Sequence, residues 1–320
     1  MKMIRLCCKL AIFLFLGMAA RPGHARPVRI AYPGISIGAM VPALAAEKQL
    51  FQQEGMQVEL IVMPASTGIM AMVAGDIDFS TASSSALAAA LRGLPVKVVM
   101  FYVSRPYHAI VAQRGARSIQ ELRGKTIATS RPGAAAYYVA RAILEHYRLD
   151  PDKDVRLVTI GGGDITERLQ QLEKGRFEAT VLSPPLLFYA EERGYPIVGS
   201  ATDFLESPQQ GIGAAKSKIE SAPDEVSRVM RVFLRALRLI RENREETVSF
   251  IRRWLKTDTR VAEKSYDMVL KTFSWNGEAS AKGIEKLVEI SRQEGKATRE
   301  TPVKELVDFT LLREVRSKMR

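Results

Sequence analysis

The sequence predicts an α/β fold of two doubly wound β/α lobes joined by hinge strands, with an all-helical C-terminal extension packed on the first lobe. Three observations carry that prediction. Short apolar runs of strand character alternate with helical runs from Val28 to about residue 216. The alternation starts over after 97 residues, KTIATS (125–130) standing to VRIAY (28–32) as VRLVTI (155–160) stands to VELIVM (58–63). From Ser221 onward strand signals cease and helical spacing takes over. With 320 residues, 47% hydrophobic and 26% charged, the chain is long enough for two domains and has a globular composition.

Residues 1–25 stand apart from the fold. Lys2, Arg5 and Lys9 lead into the apolar run 10–20, and Gly23 and Ala25 supply small residues at the −3 and −1 positions of a cleavage site. That is the pattern of a secretory signal peptide, and the apolar run is about half the ~20 residues of a membrane span. Both cysteines, Cys7 and Cys8, lie inside it, so the exported chain is expected to carry no disulfide and no lipid-modified cysteine. Removing the segment takes four basic residues and no acidic one, lowering the formal net charge from +12 to +8. A moderately basic balance favours anionic ligands or surfaces, and no aromatic-basic readout motif points to nucleic acid.

In chain order, VRIAY is a strand and a helix follows over about Met40 to Gln53, with Pro42 in its first turn. VELIVM (58–63) is the second strand, and Ser66-Thr67-Gly68 opens a helix that stops at Gly75. In the stretch 74–93, AGDIDFSTASSSALAAALRG, Ile77, Phe79 and Thr81 suit a buried strand, Ser83 to Ser85 a helix start and Gly93 a helix stop. VKVVMFYV (96–103) closes the first unit. In the second unit Gly175 to Ala179 echo Gly75 to Phe79, and Ser183 falls on Ser83. Lobe 1 is expected to comprise 26–107 and 207–320, lobe 2 113–202, with hinge segments at 104–116 and 198–216. Ser221, Pro223, Asp224 and Glu225 mark a helix start, and helices are predicted to about Asn243 and near 246–256, 259–273, 280–294 and 302–317.

A strand that feeds directly into a helix N-terminus leaves free N–H groups and hydroxyls at the carboxyl edge of the sheet, where open α/β sheets bind ligands and where anions are favoured. Six such turns recur. The ligand-binding candidates drawn from them are Tyr32, Ser36, Ser66, Thr67, Gly68, Ser83 and Ser84 in lobe 1, and Ser130, Arg131, Gly133, Asp164 and Ser183 in lobe 2, with Tyr107 beside the hinge. Each serine is also a plausible plain cap, and Arg131 an ordinary solvated arginine. The expected ligand is a small organic anion held mainly by neutral donors, without a buried counter-charge; Tyr32, Tyr107, Ile35 and Ile37 would face its apolar body. The rival is a neutral or cationic heterocycle stacked on those tyrosines and bonded by Asp164.

Catalytic groups are sparse. Gly161 to Gly163 lack the lysine-serine/threonine ending of a phosphate loop, His108 and His146 sit in no metal-spaced pair, and no GxSxG elbow occurs. No cofactor, metal or enzymatic activity is expected. Arg228, Arg231, Arg235, Arg238 and Arg241 form a stripe at helical spacing, read as a solvated face or a docking surface. Trp275 and Asn276 lie in a turn within reach of the crevice.

Over about 27–255 the chain resembles the periplasmic solute-binding proteins of ABC importers, in the branch that handles sulfonates, taurine, nitrate and the pyrimidine precursor of thiamine. VRIAY, PALAAEKQLFQQEGMQVEL, AGDIDFSTAS, LRGLPVKVV, SIQELRGKTIATS, LDPDKDVRLV and LEKGRFEATVLSPP carry the likeness. Leu50 stands where the family usually has glycine before the phenylalanine, and Glu178 where aspartate is common. The resemblance implies a periplasmic, type II-like binding protein, monomeric, with its ligand on the turns at Ser66, Ser83, Ser130 and Ser183 and a membrane permease as partner. It leaves open a thiamine pyrimidine precursor as ligand, or a sensing role without transport. The family's pyrimidine-synthesising enzymes carry a cysteine-rich motif that this chain lacks.

Overall fold

Strands that are each followed by a helix pair in parallel, because the crossover returns the chain to the same edge. The computed structural model describes residues 26–132, 134–160, 165–293 and 301–319. The expected leader, Gly133 and the run from Gly161 to Asp164 lie outside them. The first unit holds β1 (Val28–Tyr32), α1 (Met40–Glu47), α2 (Leu50–Gln53), β2 (Val58–Val62), α3 (Ala65–Ala74), β3 (Phe79–Ser80), α4 (Ser83–Leu91) and β4 (Val96–Val103). The second holds β5 (Ala109–Ala112), β6 (Thr126–Thr129), α5 (Ala135–His146), β7 (Arg156–Thr159), α6 (Ile165–Glu173), β8 (Ala179–Leu182), α7 (Leu186–Glu192) and β9 (Ile197–Ser200). Then β10 (Gln210–Ala215) leads into α8 (Lys216–Ser221), α9 (Pro223–Glu242), α10 (Arg244–Trp254), α11 (Thr259–Thr272), α12 (Ala281–Gln293), α13 (Val303–Leu306) and α14 (Thr310–Lys318).

Among the described residues these strands form two five-stranded sheets, ordered β2-β1-β3-β10-β4 and β7-β6-β8-β5-β9. In each, the first three strands are parallel and the last two pair antiparallel. The repeat extends to register, since Ile30 lies opposite Leu60 and Ile127 opposite Leu157. The windows 104–116 and 198–216 include β5, most of β9 and β10, which belong to the sheets; the segments that run from one sheet to the other are 104–108 and 201–209. Arg105 fastens one crossing to the other, donating to the Thr202 and Asp203 carbonyls at 3.3 and 3.4 Å and pairing with Glu206 at 3.0 Å.

Two predicted helices are broken. The helix over 40–53 divides at Gln49, whose φ of 54° is left-handed and cannot continue a helix. The helix over 302–317 divides because Val307 is extended and bridges to Val98 of β4, while Asp308 N–H donates to the Val98 carbonyl at 2.9 Å. The C-terminal segment thereby covers an otherwise open sheet edge.

α9 starts on Pro223 with Asp224 and Glu225 in its first turn, favourable to the helix dipole. Its inner face, including Val226, Val229, Phe233, Leu237 and Ile240, is fully buried in the lobe 1 core; each such side chain contributes about 1.5–3 kcal/mol. The arginine stripe is in part an internal fastening. Arg231 and Arg235 pair with Glu54 at 2.6 and 3.4 Å, and Arg228 donates to the Glu54 carbonyl at 3.4 Å. α11 and the turn before it reach beyond lobe 1: Val261 is fully buried in a lobe 2 cluster, Lys264 pairs with Glu191 of α7 at 2.7 Å, and Thr257 Oγ1, just ahead of the helix, donates to the Tyr189 hydroxyl at 2.8 Å.

Candidate functional site

β3 ends directly in α4, which puts Ser83 at the carboxyl edge of the first sheet. A capping role is excluded by position: the cap residue is Ala82, and no side chain caps the helix. Ser83 is fully buried and its Oγ has no hydrogen-bond partner. An unpaired buried hydroxyl costs about 1–3 kcal/mol, so folding does not account for it. Beside it, the first residue of β10, Gln210, lies across Gly38, where a Cβ would fall 1.8 Å from Gln210 Oε1. That oxygen is also buried and unpartnered.

The wall of the second lobe is built alike but charged differently. Ser130, 8% exposed, follows β6, and its Oγ is likewise unpartnered. His108 precedes β5, whose Ala109 pairs with Leu182, so it lies across from Ser183 at the end of β8. Its Nδ1 has no partner; burial, reinforced by the Arg168 charge, pushes the imidazole down to about 4. Arg168 comes from α6, is 3% exposed and donates through Nε to the Val181 carbonyl at 3.3 Å. Arg168 thus sets a buried cation on the lobe 2 side, beside His108. The Tyr107 ring stacks on His108 at 5.2 Å, and burial pushes its phenol up to about 12 despite hydrogen bonds with Ser36 and the Gly38 backbone.

One crossing residue ties the walls together. Ser84 N–H donates to the Gln209 carbonyl at 3.2 Å, and the Gln209 side-chain amide donates to the Tyr138 hydroxyl in the first turn of α5. The helix starts after β3 and after Ser130 thus meet through residue 209.

The other expected residues have varied placements. Tyr32 is buried with its ring 6.3 Å from Trp254. Ser36 shapes its own turn: Oγ accepts from Ala39 N–H at 3.2 Å and its carbonyl from Trp254 Nε1 at 3.0 Å. Ser66 and Thr67 are exposed in the first turn of α3, as is Arg131 after β6. Gly68 lets α3 approach β1, since a Cβ there would sit 3.2 Å from that of Ala31. Ser183 is half-buried, and its carbonyl accepts from Leu187 N–H at 3.0 Å. Ile37 is packed in the lobe 1 core, whereas Ile35 is 62% exposed. Asn276 closes a turn by accepting from Ser274 Oγ at 2.8 Å, and with Trp275 it lines a groove beside α9. His146 stacks on Phe204 of the second crossing at 3.8 Å.

Sequence reasoning missed Arg168, Gln209 and Gln210, and set His108 aside. Glutamines beside a predicted crossing were the available signal; Arg168, inside an ordinary helix, offered none. Among the described residues no group of three or more His, Cys, Asp or Glu is placed to hold a metal, and no helix is long and apolar enough to cross a membrane.

Two sheets of this order, joined by two crossings with polar groups buried where they meet, define the fold of the periplasmic binding proteins. The chain belongs to the NMT1/THI5-like family, whose model matches residues 40–247. A Brucella abortus protein named only as a binding protein is 24% identical over 238 residues, 72% of either chain. The periplasmic aliphatic sulphonate binding protein SsuA from Escherichia coli superposes with TM-score 0.73 at 17% identity, over 90% of this chain and 99% of that one. The periplasmic nitrate-binding protein NrtA from Synechocystis PCC 6803 gives 0.71 at 15%, over 92% and 89%. The fold is not confined to binding proteins, for the desulfurization enzyme DSZB gives 0.68 at 15%, over 92% and 100%.

Proposed function

We propose that this protein is the periplasmic substrate-binding component of an ABC importer, which captures a small organic anion between its lobes and delivers it to a membrane permease. The observation that carries this reading is the pair of buried, unpartnered hydroxyls on opposite walls, Ser83 Oγ in the first turn of α4 and Ser130 Oγ in the turn between β6 and α5. Helix N-termini stabilise negative charge, by about 0.3–1 kcal/mol each and more when partly buried. A sulfonate or carboxylate meets hydroxyl and N–H donors with its several acceptor oxygens. In this reading lobe 1, residues 26–107 with 207–320, and lobe 2, the expected 113–202 extended by β5, close about the crossings, and ligand completes the bonds that the walls lack. The protein acts as an exported monomer and performs no chemistry on its ligand.

A thermal-shift screen of aliphatic sulfonates, carboxylates, nitrate and pyrimidines tests it. A cognate anion at about 100 times its dissociation constant adds roughly 2.7 kcal/mol of stability. Ser83→Ala with Ser130→Ala abolishes that gain, yet leaves the ligand-free protein as stable or more so by up to about 1 kcal/mol, because an unpaired buried hydroxyl is removed. Stabilisation by pyrimidines alone, or an unchanged response in the double variant, refutes the anion reading.

A further inference from the structure

α9 and α14 flank a cavity of about 280 Å³ whose lining includes none of Ser83, Ser130, His108, Arg168 or Gln210. Its floor is apolar, formed by Leu234, Leu237, Met319 and Trp275, with Leu237 fully buried. Its rim is cationic: Arg238, Arg241 and Arg316 stand against one carboxylate, Glu242. Two of those arginines have carboxylate partners, Arg238 with Glu242 at 3.0 Å and Arg316 with Glu278 at 2.6 Å. Arg241 does not. No carboxylate among the described residues pairs with it, and its guanidinium lies 5.9 Å from the Trp275 ring centroid, within cation–π range.

Water solvates the exposed Arg241, so a neutral ligand would gain nothing from that charge and a wholly polar anion nothing from the floor; an anion with an apolar body uses both. The neighbouring cavity of about 570 Å³ is different in kind, since Asp224, Ser227, Arg228, Arg231, Glu314 and Lys318 line it and it has no aromatic floor. We propose that the cavity beside α9 and α14 is a second ligand site that takes a small amphipathic carboxylate, its tail on the leucines and Trp275 and its charge on Arg241. This site does not depend on what the cleft binds. Its volume lies near the lower limit of small-molecule pockets, which suits an acid of roughly ten non-hydrogen atoms.

Octanoate is the probe. The chain has two tryptophans, so Trp254→Phe leaves Trp275 as the sole reporter. Octanoate should change its emission saturably, while Arg241→Gln in that background, and octanamide in place of octanoate, should each weaken binding at least about tenfold. Arg241 is exposed, so its substitution spares the fold, and calorimetry on the chain with both tryptophans repeats the comparison. Ser83→Ala with Ser130→Ala should leave the octanoate response intact. No saturation by roughly 10 mM, equal affinity for octanamide, unchanged affinity in Arg241→Gln, or loss of the response in the serine double variant each overturns the proposal.

Discussion

The two lobes share strand order, pairing sense and register, yet their inner walls differ. Lobe 1 presents a serine hydroxyl and a glutamine carbonyl, both neutral, whereas lobe 2 adds to its serine a buried arginine and an uncharged histidine. The repeat therefore accounts for the scaffold, and residues outside the repeat for the chemistry. A duplicated β/α unit requires only apolar strands and turns at matching places. Charge enters through positions that the pattern leaves unconstrained, such as the inner face of α6 and the crossing before β5.

The strongest test of that comparison is steric. A Cβ at Gly211 of β10 would fall 1.8 Å from the Met100 carbonyl oxygen, so the strands β10 and β4 would have to part. At Gly199 of β9 the nearest atoms, at 2.7 and 2.9 Å, belong to the side chains of Ile143 and Ile119, which can turn away. In urea titrations Gly211→Ala should lose more than about 3 kcal/mol and Gly199→Ala about 1–3 kcal/mol. Equal losses would mean that the lobes tolerate crowding alike and that the backbone contact is not special.

His108 gives a test of similar size that depends on pH. The folded protein holds it uncharged down to about pH 4, while the unfolded chain takes up a proton below its ordinary 6.5. Above 6.5 both states are neutral and the group is silent. As pH falls from 6.5 toward 4 it destabilises the fold progressively, by an amount of order 3 kcal/mol, and then levels off. His108→Gln should flatten the stability profile in that window and leave it unchanged at pH 8; a profile of unaltered slope contradicts an imidazole held neutral by the fold.

The smallest effect is expected where α11 meets α7. Arg260 pairs with Glu192 at 3.2 Å and Lys264 with Glu191 at 2.7 Å, and every one of these side chains keeps contact with solvent. Replacing both cations by glutamine should lower stability by less than about 1 kcal/mol, a difference that 0.5 M salt removes, on the order expected for exposed pairs. A larger loss, persisting in salt, would make α11 a principal tie between the lobes rather than an accessory one.

Sequence alone determined the two-lobed α/β scaffold, because helix and strand periodicities are local and a recurring offset of 97 residues shows in the residues themselves. It also marked Ser83 and Ser130, since a serine between a strand and a helix is a local signature. It did not reveal that Ser83 fails to cap its helix, that Gly68 serves packing, or that Val307 leaves the helix to bridge Val98; each depends on a neighbour distant in the chain. Nor did it separate Arg168 from the chain's many arginines or Gln210 from its other glutamines. Burial is set by what packs around a side chain, and the neighbours of Arg168 and Gln210 come from strands and turns that only the folded topology brings together.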